Sequence, residues 1–224
     1  MKRSVKPARL LFCLCVCIFS INAVWAQQLD FEVSHSVDWV RREISSQVSF
    51  ELAQAGIRLP TGRVLGEDIL RDVYPGLLRT TLLSLRLDSG STIGDMVNRG
   101  EISLAELDML CLEARQTPPS LSPDLQRMAG RYTLFLEKIG ALFIRHRRAI
   151  EPERVLIPAP AANYTGIIII AHEELPLRGR RTQAKAEPCL FPKIWDTDMT
   201  LIYEKNMFDP QLREERPMIH YAAP

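Results

Sequence analysis

From Val64 to Leu85 the apolar residues fall at steps of three and four, with Asp68 and Asp72 between them. Val64, Leu65, Ile69, Val73, Leu77, Leu78, Leu82 and Leu83 then share one broad stripe, so this stretch must form a helix that buries a face. Pro75, preceded by Tyr74, is expected to kink or split that helix near its middle. The leucine stripe reads as core and not as a ligand box. Upstream, Ile44, Val48, Phe50 and Leu52 sit at even spacing with polar residues between most of them. A period of two predicts a half-buried hairpin, Val37–Val40 followed by Glu43–Leu52. A helix competes there, because Trp39, Glu43 and Ile44 also stand at helical spacing and Gly56 could end it. Hairpin and helix together place the chain in the α+β class, a small mixed sheet packed by helices in a single compact domain spanning residues 27–209.

The chain opens with Lys2, Arg3, Lys6 and Arg9, runs apolar from Leu10 to Val24, and reaches Trp25-Ala26 before Gln27. This is the layout of a secretory signal peptide over residues 1–26, with Ala26 as the small residue at the cleavage site. The apolar part falls short of the roughly 20 residues that span a bilayer as a helix. The expected address is the periplasm or the outside of a bacterial cell, with no transmembrane span in the mature chain. The leader removes four of the 28 basic residues and none of the 27 acidic ones, which leaves 24 against 27 and a formal net charge of −3. That balance gives no electrostatic footprint for nucleic acid. Cys13, Cys15 and Cys17 leave with the leader. The residues before them, Phe12, Leu14 and Val16, are larger than lipoprotein processing prefers, so lipid anchoring is not expected. Cys111 and Cys189 remain. In an oxidising compartment they could form one disulfide closing a long loop, worth about 3–5 kcal/mol; two buried thiols are the alternative.

Thr92 or Ser91 can cap a short helix containing Ile93, Met96 and Val97 that Gly100 stops. Ser103 with Glu106 forms a capping box for a helix running to about Arg115, with Cys111 on its buried face. Gln116–Pro123 reads as a loop. Met128 to Ile144 reads as a strand passing into a helix, with Arg145, His146, Arg147 and Arg148 at its C-terminal end, where cations favour the dipole. Beyond a Pro152, Pro158, Pro160 connector, four consecutive isoleucines, Ile167–Ile170, suit a strand covered on both faces. Short strands at Cys189–Trp195 and Leu201–Tyr203 join through an Asp196-Thr197-Asp198 turn. Residues 210–224 are expected to be a flexible tail.

Few groups offer chemistry. His172, Glu173, Asp196 and Asp198 follow apolar segments and could converge on a divalent metal or activate a water, which would make a metal-dependent periplasmic hydrolase. No His-x-x-x-His, no metal-spaced Cys pair and no Gly-x-Ser-x-Gly elbow supports it. Asp88-Ser89-Gly90-Ser91-Thr92 has the hydroxyls of an anion loop but lacks the Gly-Lys-Ser/Thr ending. Arg178, Arg180 and Arg181 could bind acidic groups of a small ligand or of peptidoglycan. His35, His146 and His220 stand alone and are expected at the solvent. No catalytic residue, cofactor or metal is assigned.

Tyr164-Thr165-Gly166-Ile167-Ile168-Ile169-Ile170-Ala171, then Pro192-Lys193-Ile194-Trp195-Asp196-Thr197-Asp198 and Leu201-Ile202-Tyr203, resembles the closing segment of FlgP-like flagellar and envelope proteins. Tyr74-Pro75-Gly76-Leu77-Leu78 and Leu87-Asp88-Ser89 leading to Thr92-Ile93-Gly94-Asp95 are compatible with that family. Ile170 stands where its pattern has Asp, so no role of that Asp carries over. The resemblance implies a non-enzymatic protein of the cell envelope, linked to flagellar motility or outer-membrane assembly, whose partners are envelope or flagellar proteins. Phe191, Trp195, Tyr203 and Phe208 are the expected interaction surface, with core packing as the competing role.

Overall fold

The computed structural model describes residues 29–150, 166–171, 173–176 and 181–222. The leader, the proline connector, His172, Arg178 and Arg180 lie outside them. The fold is α+β, as its patterning predicts. Strands β1 (Phe31–Asp38) and β2 (Glu43–Glu51) form a hairpin whose second strand lies where the alternation predicts. The first runs Phe31–Asp38 and not Val37–Val40, because Trp39 and Val40 belong to the turn, in which Asp38 Oδ1 accepts the backbone N–H groups of Val40 and Arg41 at 3.0 and 2.8 Å. With β3 (Arg115–Leu121) and β4 (Arg127–Phe135) they make an antiparallel sheet of order β1-β2-β4-β3.

Helix α1 (Arg63–Ser84) lies across one face of the sheet. Leu70, Tyr74, Leu78 and Leu82, four residues apart, are each at most 1 % exposed, so the stripe forms the core. Pro75 does not split the helix, which runs unbroken through it. The sheet answers with two inward rows, Ile44, Ser46, Val48 and Phe50 on β2 against Leu134, Tyr132, Gly130 and Met128 on β4. Gly130 has a packing reason: a Cβ there would lie 3.2 Å from the Tyr132 ring and 3.3 Å from Leu70 Cδ1. Its absence lets Tyr132 lie flat under Tyr74, ring centroids 3.9 Å apart and planes 11° apart.

Helix α3 (Leu104–Leu112) starts at the predicted Ser103–Glu106 capping box, and helix α2 (Ile93–Asn98) is capped by Thr92, where Asp95 completes a second box that the sequence reading did not include. Thr92 Oγ1 accepts the Asp95 N–H at 3.2 Å while the Asp95 carboxylate accepts the Thr92 N–H at 2.8 Å; Ser103 and Glu106 repeat the exchange at 3.2 and 2.7 Å. These bonds to the ionised form hold both carboxyls below their ordinary pKa. Since the folded pKa lies below the unfolded one, the stabilisation is present at neutral pH and is lost as pH falls through the folded value. Ser103→Ala is expected to cost about 1 kcal/mol at pH 7 in chemical denaturation, with the difference from the parent chain shrinking in acid.

Three expectations change. Gln116–Pro123 is not a plain loop: Arg115–Leu121 pairs with β4, and the sheet tolerates Pro118 and Pro119 because β3 is an edge strand with a register shift between Thr117 and Ser120. Helix α4 (Leu136–Ala141) stops before the basic run, although Arg145 Nε still donates to the Leu142 carbonyl at 3.2 Å. The isoleucine segment is no central strand. Ile167–Ile170 pair with no described strand and are 59, 90, 60 and 74 % exposed, because the sheet is already built from β1 to β4. Two small antiparallel pairs complete the fold: β5 (Leu175–Pro176) with β6 (Gln183–Ala184), and β7 (Ile194–Trp195) with β8 (Leu201–Tyr203). Among the described residues no helix is long and apolar enough to cross a membrane.

Candidate functional site

Where the β1–β2 turn, α4 and the C-terminal residues meet, the chain leaves a shallow groove of about 40 Å³. Local order at α4 comes from the turn. The Leu136 N–H donates to the Arg42 carbonyl at 2.9 Å, and Arg42 holds a left-handed backbone, φ 61°. Arg42 Nη1 lies 2.6 Å from Glu137 Oε1, and the Glu137 side chain is 90 % buried. Its second oxygen, Oε2, is buried with no hydrogen-bond partner. A buried carboxylate oxygen without a donor is costly, which makes Glu137 the most unusual polar group lining the groove.

The groove's other wall is the C-terminal segment, so residues 210–222 are not the loose tail expected over 210–224. The Ile150 N–H donates to the Asn206 carbonyl at 2.8 Å, and His146 Nε2 bonds the Phe208 carbonyl at 2.8 Å, which returns the chain to the core. The Tyr221 hydroxyl donates to the Cys189 carbonyl at 2.8 Å and accepts the Cys189 N–H at 2.9 Å, while its ring meets Trp39 edge-on at 5.6 Å. Burial pushes the Tyr221 phenol up to about 12. Arg213 Nη1 donates to the Ile144 carbonyl at 3.3 Å.

The expected interaction surface divides. Phe191 and Phe208 are core residues, at 6 and 9 % exposure, and cannot meet a partner. Tyr203 is half-buried, its hydroxyl donating to the Met218 carbonyl at 3.3 Å. Trp195 is 46 % exposed and stands with Met199 at 44 % and Ile202 at 42 % on the β7–β8 hairpin. The turn there is fixed by Asp196, whose Oδ1 accepts the Asp198 and Thr200 N–H groups at 2.9 and 2.7 Å. That is the work of Asp196. With Glu173 exposed, Glu173, Asp196 and Asp198 form no metal-binding group among the described residues.

The Asp88–Thr92 loop spends its donors on itself. Burial alone would raise the Asp88 carboxyl, but bonds from Ser91 Oγ at 2.7 Å and the Gly90 N–H at 2.9 Å, with Lys193 nearby, hold it below its ordinary pKa. Arg181 is exposed on the chain surface. Cys111 and Cys189 are free thiols, not a disulfide: one is buried on α3 near Tyr74, the other under Tyr221. Burial pushes Cys111 up to about 12 and raises Cys189 as well. A chain lacking residues 1–26 is therefore expected to show two thiols to a colorimetric thiol reagent in denaturant and almost none at pH 8 when native; no thiol in denaturant would mean that the pair is bonded.

Sequence reasoning missed a polar rung that crosses the whole sheet under α1. His35 on β1, Ser46 on β2, Tyr132 on β4 and Gln116 on β3 occupy paired positions. His35 Nδ1 bonds Ser46 Oγ at 2.9 Å, His35 Nε2 bonds the Leu77 carbonyl at 3.2 Å, and Gln116 Nε2 donates to the Tyr132 hydroxyl at 3.3 Å. The carbonyl requires the proton on Nε2, so Ser46 donates to Nδ1. Ser46 is 1 % exposed, which leaves no approach for a substrate, so this Ser–His pair is structural. His35 and His146 are thus bonded inside the fold, and of the three described histidines His220 is exposed. Ser46 standing at an inward position of an otherwise apolar alternation was the one visible signal.

These features define a two-segment α+β protein with an apolar groove at the junction of its parts. The chain belongs to the family of Treponema pallidum Tp0624: residues 30–142 match the N-terminal domain of that protein and residues 166–224 its second domain. Trp39, Arg42 and Glu137 lie in the first matched segment and Phe191 and Tyr221 in the second, so the groove is shared between them. No curated protein matches the chain significantly.

Proposed function

We propose that the protein is an exported, non-enzymatic component of the cell envelope that works through protein–protein contacts, in flagellar or outer-membrane assembly. The leader supports export, and the motif resemblance at residues 164–171 and 192–203 supports the flagellar context. The observation that carries the reading is the β7–β8 hairpin. Trp195, Met199 and Ile202 are each more than 40 % exposed on one hairpin whose turn is pinned by Asp196, and an exposed aromatic with aliphatics on a short hairpin is the composition of a binding hot spot. The test is affinity purification of the tagged mature chain from crosslinked envelopes of its host, in parallel with a Trp195→Ser, Ile202→Ser variant. Basal-body or outer-membrane proteins should be enriched with the parent chain and lost with the variant. A clean monomer carrying a bound metal would overturn the reading in favour of the hydrolase.

A second reading, a small-ligand or peptidoglycan-binding module, is favoured by the groove, where Glu137 Oε2 lacks a donor. Trp39 lines the groove. A ligand that fills it should change tryptophan fluorescence in the parent chain and not in Trp39→Phe.

A further inference from the structure

Two features of this chain are each half of a contact. The first is Ile167–Ile170, exposed and paired with no described strand. β-branched residues favour extended backbone, and four in a row favour a strand covered on both faces. Leaving them in water forfeits the burial that their side chains would gain.

The second is the outer edge of β1. The order β1-β2-β4-β3 leaves two edges. The β3 edge is blunted by Pro118, Pro119 and a register shift, the devices that keep an edge from pairing. β1 has none of them. Its eight residues contain no proline, keep unbroken register with β2 from Phe31 opposite Phe50 to Asp38 opposite Glu43, and carry no described strand on their outer side. Phe31, Val33 and Val37 on its inner face are only partly buried, so inward isoleucines of an added strand would extend the core over them.

We infer that two copies of this chain associate by strand addition, Ile167–Ile170 of each pairing with the outer edge of β1 in the other. The chain carries both halves in equal number, and reciprocal exchange closes as a two-fold dimer that leaves neither half free. The lengths agree: Gly166 to Ala171 as a strand spans about 20 Å, against about 26 Å for the eight residues of β1. This contact does not use the Trp195 hairpin and stands apart from the reading above.

Sedimentation velocity of the mature chain over a thousandfold concentration range should show a reversible monomer–dimer equilibrium. Ile167 and Ile168 are 59 and 90 % exposed, so the Ile167→Lys, Ile168→Lys double variant leaves the fold intact, and since one of the two faces inward in any register it should weaken dimerisation at least tenfold. Ser34→Cys and Ile168→Cys, made in separate chains and mixed, should be joined by a short bis-maleimide into a heterodimer. Placing both cysteines in one chain keeps the result decisive, because a crosslink within the monomer would show pairing in cis. That result, a monomer at every concentration, or a dimer that the Ile167→Lys, Ile168→Lys variant does not weaken overturns the inference.

Discussion

Tyr74→Ala is expected to remove about 3–5 kcal/mol of stability, whereas Tyr74→Phe should cost nothing or stabilise slightly. The ring is 1 % exposed at the centre of α1, stacked on Tyr132 and in the row that packs against the sheet. Truncation would lose its transfer free energy and leave a cavity that the flat Tyr132 ring, confined by Gly130 and Leu70, cannot fill. The hydroxyl tells a different story. It is buried without a hydrogen-bond partner: Ser46 lies beside it, but the contact falls short of bonding geometry and the Ser46 proton is committed to His35. Burial raises this phenol well above its ordinary pKa. Urea denaturation of the three proteins reads both numbers. A loss of 1 kcal/mol or more in Tyr74→Phe would show that the hydroxyl is bonded after all, and the polar rung would then extend from the sheet into the helix.

The rung also explains which parts of the structure could be read in advance. Strand β2, helix α1, the Ser103–Glu106 capping box, the Thr92 cap and the β7–β8 turn follow from rules that act within a dozen residues: alternation, a helical stripe, a hydroxyl three residues before a carboxylate, an Asp opening a turn. Where a long-range partner decides, the local pattern misleads. Prolines at 118 and 119 read as loop because the sequence does not show that β3 lies at an edge. Ile167–Ile170 read as a central strand because their composition announces a covered strand without saying which chain covers it. Phe191 and Phe208 look like a docking surface until residues 206–208 are seen returning to Ile150 and His146. The groove was the least legible feature of all. Arg42 and Glu137 are separated by most of the sheet, and the Tyr221 that closes the far wall falls in a stretch whose prolines suggest a tail.

The second large effect is expected at that pair. Arg42→Ala should cost about 3 kcal/mol, the lower end of the range for breaking a buried ion pair, because the arginine itself is one-third exposed while Glu137 is left buried with neither oxygen matched. Arg42→Gly removes the same guanidinium but should cost about 1 kcal/mol less. Residue 42 holds φ at 61°, and the left-handed strain that alanine keeps, glycine does not feel. Glu137→Gln should be milder than either, since the freed guanidinium can turn to water. Combining Arg42→Ala with Glu137→Gln should then recover part of the loss, a coupling of about 1–3 kcal/mol in a double-mutant cycle read by denaturation. The order Ala, Gly, Gln from worst to mildest separates charge from backbone. If glycine proves the worst of the three, the turn owes its shape to the Arg42 side chain and not to its conformation; if the cycle shows no coupling, the carboxylate that faces the groove is solvated, and the case for a donor-bearing ligand there falls with it.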